Sequence, residues 1–183
     1  MARGDYRFFQ IAWIVDDLQE AMANWTKTYG VGPFYMMPKR TLPVTYRGRE
    51  MEWEMRLAAT QAGPVEIELI EQIPGVPNIY SEVFPNAGGG FHHFCALTKR
   101  FDETKAHYES LGFPSILQIH SFMRIEYFDT YKAFGHMTEL VEYTPSFVAS
   151  HSRMSRACEN WDGKDPVRMH DGEGYVVPDL ASV

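Results

Sequence analysis

The order of apolar and polar positions predicts one unit that occurs twice. Phe8-Phe9-Gln10-Ile11-Ala12-Trp13-Ile14-Val15 is short, aromatic and β-branched, which predicts a buried strand. Asp16-Asp17 ends it, and Asp17 with Glu20 three residues on has the form of a helix capping box. Leu18, Ala21, Met22, Trp25 and Tyr29 then fall on one face of a helix, and Gly30 is placed to close it in the left-handed conformation. Pro33, Pro38, Pro43 and Gly48 interrupt any long element over 33–50, where Lys39, Arg40, Arg47 and Arg49 form the most basic stretch of the chain. That stretch reads either as a solvated loop or as a clamp for a carboxylate or phosphate. Met51 to Ala59 suggests a strand, and Gln61-Ala62-Gly63-Pro64 a turn. Val65 to Glu71 is a further strand, with Glu66, Glu68 and Ile70 on one face and Ile67, Leu69 and Glu71 on the other.

After a connector over 75–90, which carries Pro77, Pro85 and Gly88-Gly89-Gly90, the pattern returns. Phe91 to Leu97 repeats the first strand, and Phe101, Thr104, Tyr108 and Leu111 mark a second helix face, closed by Gly112. Gln10 and His93 stand 83 residues apart, as do Trp25 and Tyr108. The last strands agree as well: Glu68-Leu-Ile-Glu71 matches Glu139-Leu-Val-Glu142. Strict alternation puts His92 and His93 on opposite faces, so that only one can serve a given site. Ser115 to Phe128 alternates as strand. Its polar set (Gln118, His120, Arg124 and Glu126, with Ile116 and Phe122) faces solvent or a wet cavity, and Leu117, Ile119, Ser121, Met123, Ile125 and Tyr127 form the other set. Beyond Pro145, Phe147, His151, Met154, Cys158 and Trp161 recur at helical spacing, a packing stripe that could seal a pocket or join two subunits. Asp162-Gly163 ends that helix, and an irregular tail follows. The expected organisation is therefore a first module over 6–74, the connector over 75–90, a second module over 91–144, and a C-terminal helix and tail over 145–183.

Composition narrows the function classes. With 183 residues, 45% of them hydrophobic and 22% charged, the chain can bury a sizeable core. Its formal charge of −7 argues against a general nucleic-acid or anionic-membrane binder. Two cysteines, Cys95 and Cys158, make neither a disulfide framework nor a cysteine zinc cluster. No signal-peptide pattern follows Met1-Ala-Arg-Gly-Asp, and no apolar run is long enough to span a bilayer, so a cytoplasmic location is expected.

Two modules, each with a ligand-type residue in its first strand and a Glu-Leu pair in its last, resemble the vicinal oxygen chelate superfamily. That superfamily includes glyoxalase I, methylmalonyl-CoA epimerase, extradiol dioxygenases and bleomycin-resistance proteins. The resemblance covers about residues 6–144. It implies an α+β fold in which two βαβββ modules form a curled, cup-shaped mixed sheet, here with an added C-terminal helix. It also implies a divalent metal ion (Zn, Co, Ni or Mn) held by Gln10, Glu68, His93 and Glu139, with Glu139 or Glu68 as the base. The Asp16-Asp17-Leu18 turn and the glycine-rich approach to His92-His93 look closest to the epimerase-like branch. The function so implied is a metal-dependent isomerase, epimerase or lyase that moves a proton next to a carbonyl or acyl thioester of a small molecule. A metal-free binding protein of the same fold is the alternative, and an extradiol-type dioxygenase the third. Gln10 in place of a histidine argues against the last. His120, Arg124, Tyr46 and Arg56, with Arg40, Arg47 and Tyr131, are the polar side chains that could reach a substrate. A homodimer is possible, the stripe on the last helix being one surface for it.

Overall fold

The computed structural model describes residues 6–73, 75–86, 88–121, 123–170 and 175–176. Phe122, Pro74 at the end of the first expected module, and most of the tail beyond His170 lie outside the described residues. The first half runs β1 (Tyr6–Val15), α1 (Leu18–Tyr29), β2 (Phe34–Met36), β3 (Arg40–Tyr46), β4 (Arg49–Met55), β5 (Leu57–Ala62) and β6 (Val65–Glu71). After α2 (Ile79–Val83) come β7 (Gly90–Thr98), α3 (Phe101–Ser110), β8 (Ser115–His120), β9 (Arg124–Phe128), α4 (Tyr131–Phe134) and β10 (Met137–Glu142). The chain continues through α5 (Pro145–Glu159), β11 (Val167–His170) and β12 (Tyr175–Val176). The fold is α+β, built on one large curled and unclosed mixed sheet of order β12-β11-β2-β5-β6-β1-β7-β10-β9-β8-β3-β4.

The two halves meet where β1 runs antiparallel to β7. On either side of that seam lies a parallel partner, β6 beside β1 and β10 beside β7, so the four central strands repeat about the seam. Helix α1 forms where the sequence expects it: the Asp17 side chain accepts from the Glu20 N–H, and Gly30 closes the helix at φ 68°. Its buried Leu18 and Met22 pack on Phe34, Ile67 and Leu69, each side chain contributing about 1.5–3 kcal/mol of apolar burial. On the other half, Phe101 of α3 packs on Ala96, Phe128 and Leu140. Both helices cover one face of the sheet and leave the opposite face to line a cavity.

Several stretches differ from the sequence expectation. Residues 40–50 are not a loop: β3 and the start of β4 form a hairpin turned by Arg47 and Gly48 at φ 46° and 77°, and the strand expected over Met51 to Ala59 is divided between β4 and β5 at Arg56. Left-handed backbone at both turn positions suits the twist of a hairpin. The non-glycine residue is held there by Arg47 donating to both carboxylate oxygens of Glu82, at 2.7 and 2.6 Å. This hairpin leaves its own half and pairs with β8 of the other, beginning at Val44; Pro43, which has no N–H to give, stands just before that register. The alternating run 115–128 is two strands, turned where the Ser121 hydroxyl donates to the Met123 carbonyl at 2.8 Å. Helix α5 stops at Glu159, so Trp161 is not on its stripe. Instead its ring lies against Gly32, where an added Cβ would come within 2.6 Å of it. Val167–His170, expected to be irregular, pairs parallel with β2 and extends the sheet.

Candidate functional site

Two β-bulges set the site. In β1 the ladder to β7 skips at Phe9, and in β7 it skips at His92. A bulge spends two residues against one partner, so neighbouring side chains turn to the same side. Phe91 and Phe94 therefore meet on the helix-covered face, ring centroids 5.1 Å apart, while His92 and His93 both turn inward. This corrects the expectation that the two histidines face opposite ways. The bulges fall on equivalent residues of the repeat, Phe9-Gln10 and His92-His93. Gly89 makes the approach to β7 possible: at φ 51°, a Cβ there would lie 2.0 Å from the Ile14 carbonyl oxygen.

His93 is wholly buried and sits between acids from the last strand of each half. Its Nε2 lies 3.5 Å from Glu68 Oε2 and 3.2 Å from Glu139 Oε2. His92 fixes the tautomer. Its Nε2 lies 3.4 Å from the Ile79 carbonyl, which can only accept, so His92 Nδ1 is the acceptor in the 2.9 Å contact between the two Nδ1 atoms. His93 therefore donates from Nδ1 and turns Nε2 to the acids. Sequence alternation hid His92 from this role; a bulge leaves no sequence mark here that alternation would show.

The charges of this group depend on one another. Burial, with Glu139 nearby, pushes the Glu68 carboxyl up to about 7. Burial works in the same direction on Glu139, but bonds from His93, Cys95 and Tyr127 outweigh it and hold Glu139 below the usual carboxylate range. Burial pulls His93 down, yet the Glu139 and Glu68 carboxylates outweigh that and raise it to about 9. Burial and the charge on His93 keep His92 neutral, well below an ordinary histidine. Cys95 is likewise held as a neutral thiol, first by burial and then by Glu139. A carboxylate that stays ionised in a dry site needs a positive group beside it, and the His93 imidazole stands 3.2 Å from Glu139.

Above the acids opens a cavity of about 460 Å³, walled mainly by apolar side chains such as Met37, Leu57, Ile119, Met123 and Val141. Helix α5 closes part of it with Phe147, His151 and Met154, so its stripe seals a pocket. Glu66, two residues before Glu68, lines the same cavity and takes two bonds: Gln10 Nε2 donates to its Oε1 at 2.6 Å, and His151 Nδ1 meets its Oε2 at 2.6 Å. Glu68, His93 and Glu139 thus come together, their ligand atoms all within 4.8 Å of one another. Gln10 lies on the same wall with its amide N–H committed to Glu66.

None of the four expected substrate contacts lines this cavity. Tyr46 donates to Glu82, and Arg56 is paired with Glu54 and Glu71 at 2.9 and 2.7 Å. Arg124 is paired with Asp102 and Glu142 at 2.5 and 2.9 Å, and His120 bonds to Thr45 at 2.8 Å. The polar set of β8 and β9 faces away from the cavity, and the apolar set (Ile119, Met123, Ile125, Tyr127) faces into it. Of the basic stretch, Arg40 is at the cavity, exposed at its rim. Glu66 and His151 were legible only as a strand-face acid and a stripe residue, because nothing in the sequence brings β6 and α5 together.

The sequence model of the glyoxalase/bleomycin resistance protein/dioxygenase superfamily matches residues 9–122, well over half of the chain, and the protein belongs to that superfamily. Among solved structures it is similar to methylmalonyl-CoA epimerase from Mycobacterium tuberculosis (TM-score 0.56, 16% identity, 81% of this chain and 96% of that chain). It is similar too to a methylmalonyl-CoA epimerase in complex with methylmalonyl-CoA and NH4+ (TM-score 0.52, 18% identity, 78% and 97%). A Streptomyces coelicolor methylmalonyl-CoA epimerase in complex with 2-nitronate-propionyl-CoA aligns comparably (TM-score 0.54, 19% identity, 78% and 97%). At these identities the likeness is one of fold. No curated protein matches the chain in sequence. No helix among the described residues is long and apolar enough to cross a membrane.

Proposed function

We propose that the cavity belongs to a metal-dependent isomerase or epimerase that moves a proton next to the carbonyl of a small molecule. The observation that carries this reading is the buried convergence of Glu68, His93 and Glu139 at the cavity floor. The donor set fits a divalent cation. His93 Nε2 is a buried nitrogen without a well-formed hydrogen bond, although one oxygen of each acid stands within 3.5 Å of it, and the three ligand atoms lie within 4.8 Å of one another. One imidazole and two carboxylates suit zinc, cobalt, nickel or manganese and balance the ion's charge. Such an ion would supply Lewis acidity, stabilising negative charge on a carbonyl oxygen as the neighbouring C–H bond breaks.

The chain's own residues do the rest. His92 holds the His93 ring in the tautomer that offers Nε2. Glu68, the more weakly held acid, is suited to leave the centre and take a proton, whereas Glu139 is anchored by the Cys95 thiol and the Tyr127 hydroxyl. The apolar wall excludes water, and Arg40 at the rim suits a substrate with an anionic end. The epimerase fold of the structural neighbours supports the same reaction class, and an acyl thioester is one substrate type it suggests. Calorimetric titration of chelator-stripped protein with Zn²⁺, Co²⁺, Ni²⁺ and Mn²⁺ tests the site, with one ion bound per chain expected. Proton exchange is then followed by NMR as deuterium uptake at the carbon beside the carbonyl of acyl-CoA and hydroxyketone substrates. Absence of both would leave a small-molecule binding cup, the reading that the apolar cavity wall otherwise favours.

A further inference from the structure

Helix α5 lies outside the residues that the superfamily match covers, yet it brings a titratable side chain to the cavity wall. We propose that His151 is a second proton carrier of this site, oriented by Glu66, and that Gln10 acts by holding Glu66 in place. The inference rests on the proton-transfer reading above but assigns the transfer to a group separate from the buried triad.

Four observations support it. Glu66 Oε2 lies 2.6 Å from His151 Nδ1, and a carboxylate only accepts, so Nδ1 carries the hydrogen and Nε2 keeps its lone pair. Among the described residues Nε2 has no protein partner, and the ring lines the cavity. The imidazole plane is set by neighbours: it stacks on Phe147 at an interplanar angle of 12° and meets the edge of Phe9 at 84°. Glu66 is itself fixed from its other oxygen by Gln10 at 2.6 Å, giving a chain from a buried amide through a buried carboxylate to a half-buried imidazole. That chain is the arrangement of a general base whose tautomer and direction are imposed by an acid behind it. Position favours the role too: Glu66 and Glu68 are two residues apart on one strand face, about 7 Å, so both proton carriers address one small molecule. A carrier on β6 and another on α5 give the site two places from which a proton can leave or return, the arrangement that a two-base epimerisation uses.

The test uses a probe that needs neither the metal nor the physiological substrate. 5-Nitrobenzisoxazole opens when a base removes its C3 proton: the C–H electron pair completes a nitrile, the N–O bond breaks, and the phenolate oxygen leaves with the electrons, with no redox partner involved. Chelator-treated full-length protein is expected to speed this reaction about 100-fold over free imidazole at equal concentration. His151→Gln should reduce the rate to that of imidazole or below, with the circular dichroism unchanged, and Glu66→Gln should reduce it about tenfold. In imidazole-nitrogen NMR, wild type should show His151 as the Nδ1–H tautomer, and Glu66→Gln should mix the two tautomers. A wild-type rate no greater than imidazole, a rate retained in His151→Gln, or a resting Nε2–H tautomer would each overturn the proposal. Failure of the protein to bind any cation would instead count against the proposed metal-dependent function and leave this result standing.

Discussion

The two halves of the sheet make the same bulge and put it to different use. In the second half it turns His92 and His93 inward, the first ring setting the tautomer of the second, and His93 Nε2 meets the acids. In the first half it turns Phe9 and Gln10 inward, and the amide of Gln10 is given to Glu66. Backbone geometry has thus been kept across the repeat while the chemistry placed on it has diverged. One bulge feeds the buried triad, and the other feeds a carboxylate that answers to α5.

The sharpest way to break this comparison is His93→Ala. It should weaken zinc binding at least about 100-fold by calorimetry, because a buried ligand and the balance of two acids are lost together. Gly89→Ala should come next, destabilising the protein by about 2–3 kcal/mol in urea unfolding, since the new Cβ collides with the Ile14 carbonyl and β7 must shift. Removing metal should expose a pH dependence of known sign. Glu68 and His93 are both raised in the fold, from 4.5 to about 7 and from 6.5 to about 9. Their contribution to stability is therefore present at low pH and lost as pH rises, between about 4.5 and 7 for Glu68 and about 6.5 and 9 for His93. The melting temperature of chelated protein should accordingly fall from pH 5 to pH 9, and saturating zinc should flatten that slope; an upward slope would refute the assignment. Gln10→Ala is expected to have the smallest effect on the cation, changing zinc affinity less than about threefold. A loss as large as that of His93→Ala would place Gln10 in the ligand set, as the superfamily resemblance implies.

Much of the fold could be read from the chain because both periodicities are local. The spacing of Leu18, Met22 and Trp25 and the cap at Asp17 define α1, and the 83-residue offset with the Glu-Leu pairs exposes the repeat. Glu68, His93 and Glu139 are expected together only because the superfamily resemblance carries its ligand positions onto that repeat, and their ligand atoms do lie within 4.8 Å of one another. What stayed hidden depends on backbone irregularity or long-range placement. Alternation cannot show that His92 bulges inward. The Arg47-Gly48 turn lacks the Asn-Gly or Asp-Gly signature, because a carboxylate 35 residues away stabilises the left-handed arginine. His120 and Arg124 looked available because they are polar in a strand, yet the cavity face of β8 and β9 is the apolar one. Glu66 and His151 are 85 residues apart, and only the folded chain joins them.

The β3–β4 hairpin grows out of the first half but completes the sheet edge of the second, so the first copy of the repeat supplies part of the second copy's framework. Scission in the segment between the copies would then yield fragments that recover a native sheet only by annealing with each other. Neither piece would stand as a miniature of the whole, and heating the intact chain should dismantle both copies in a single cooperative transition.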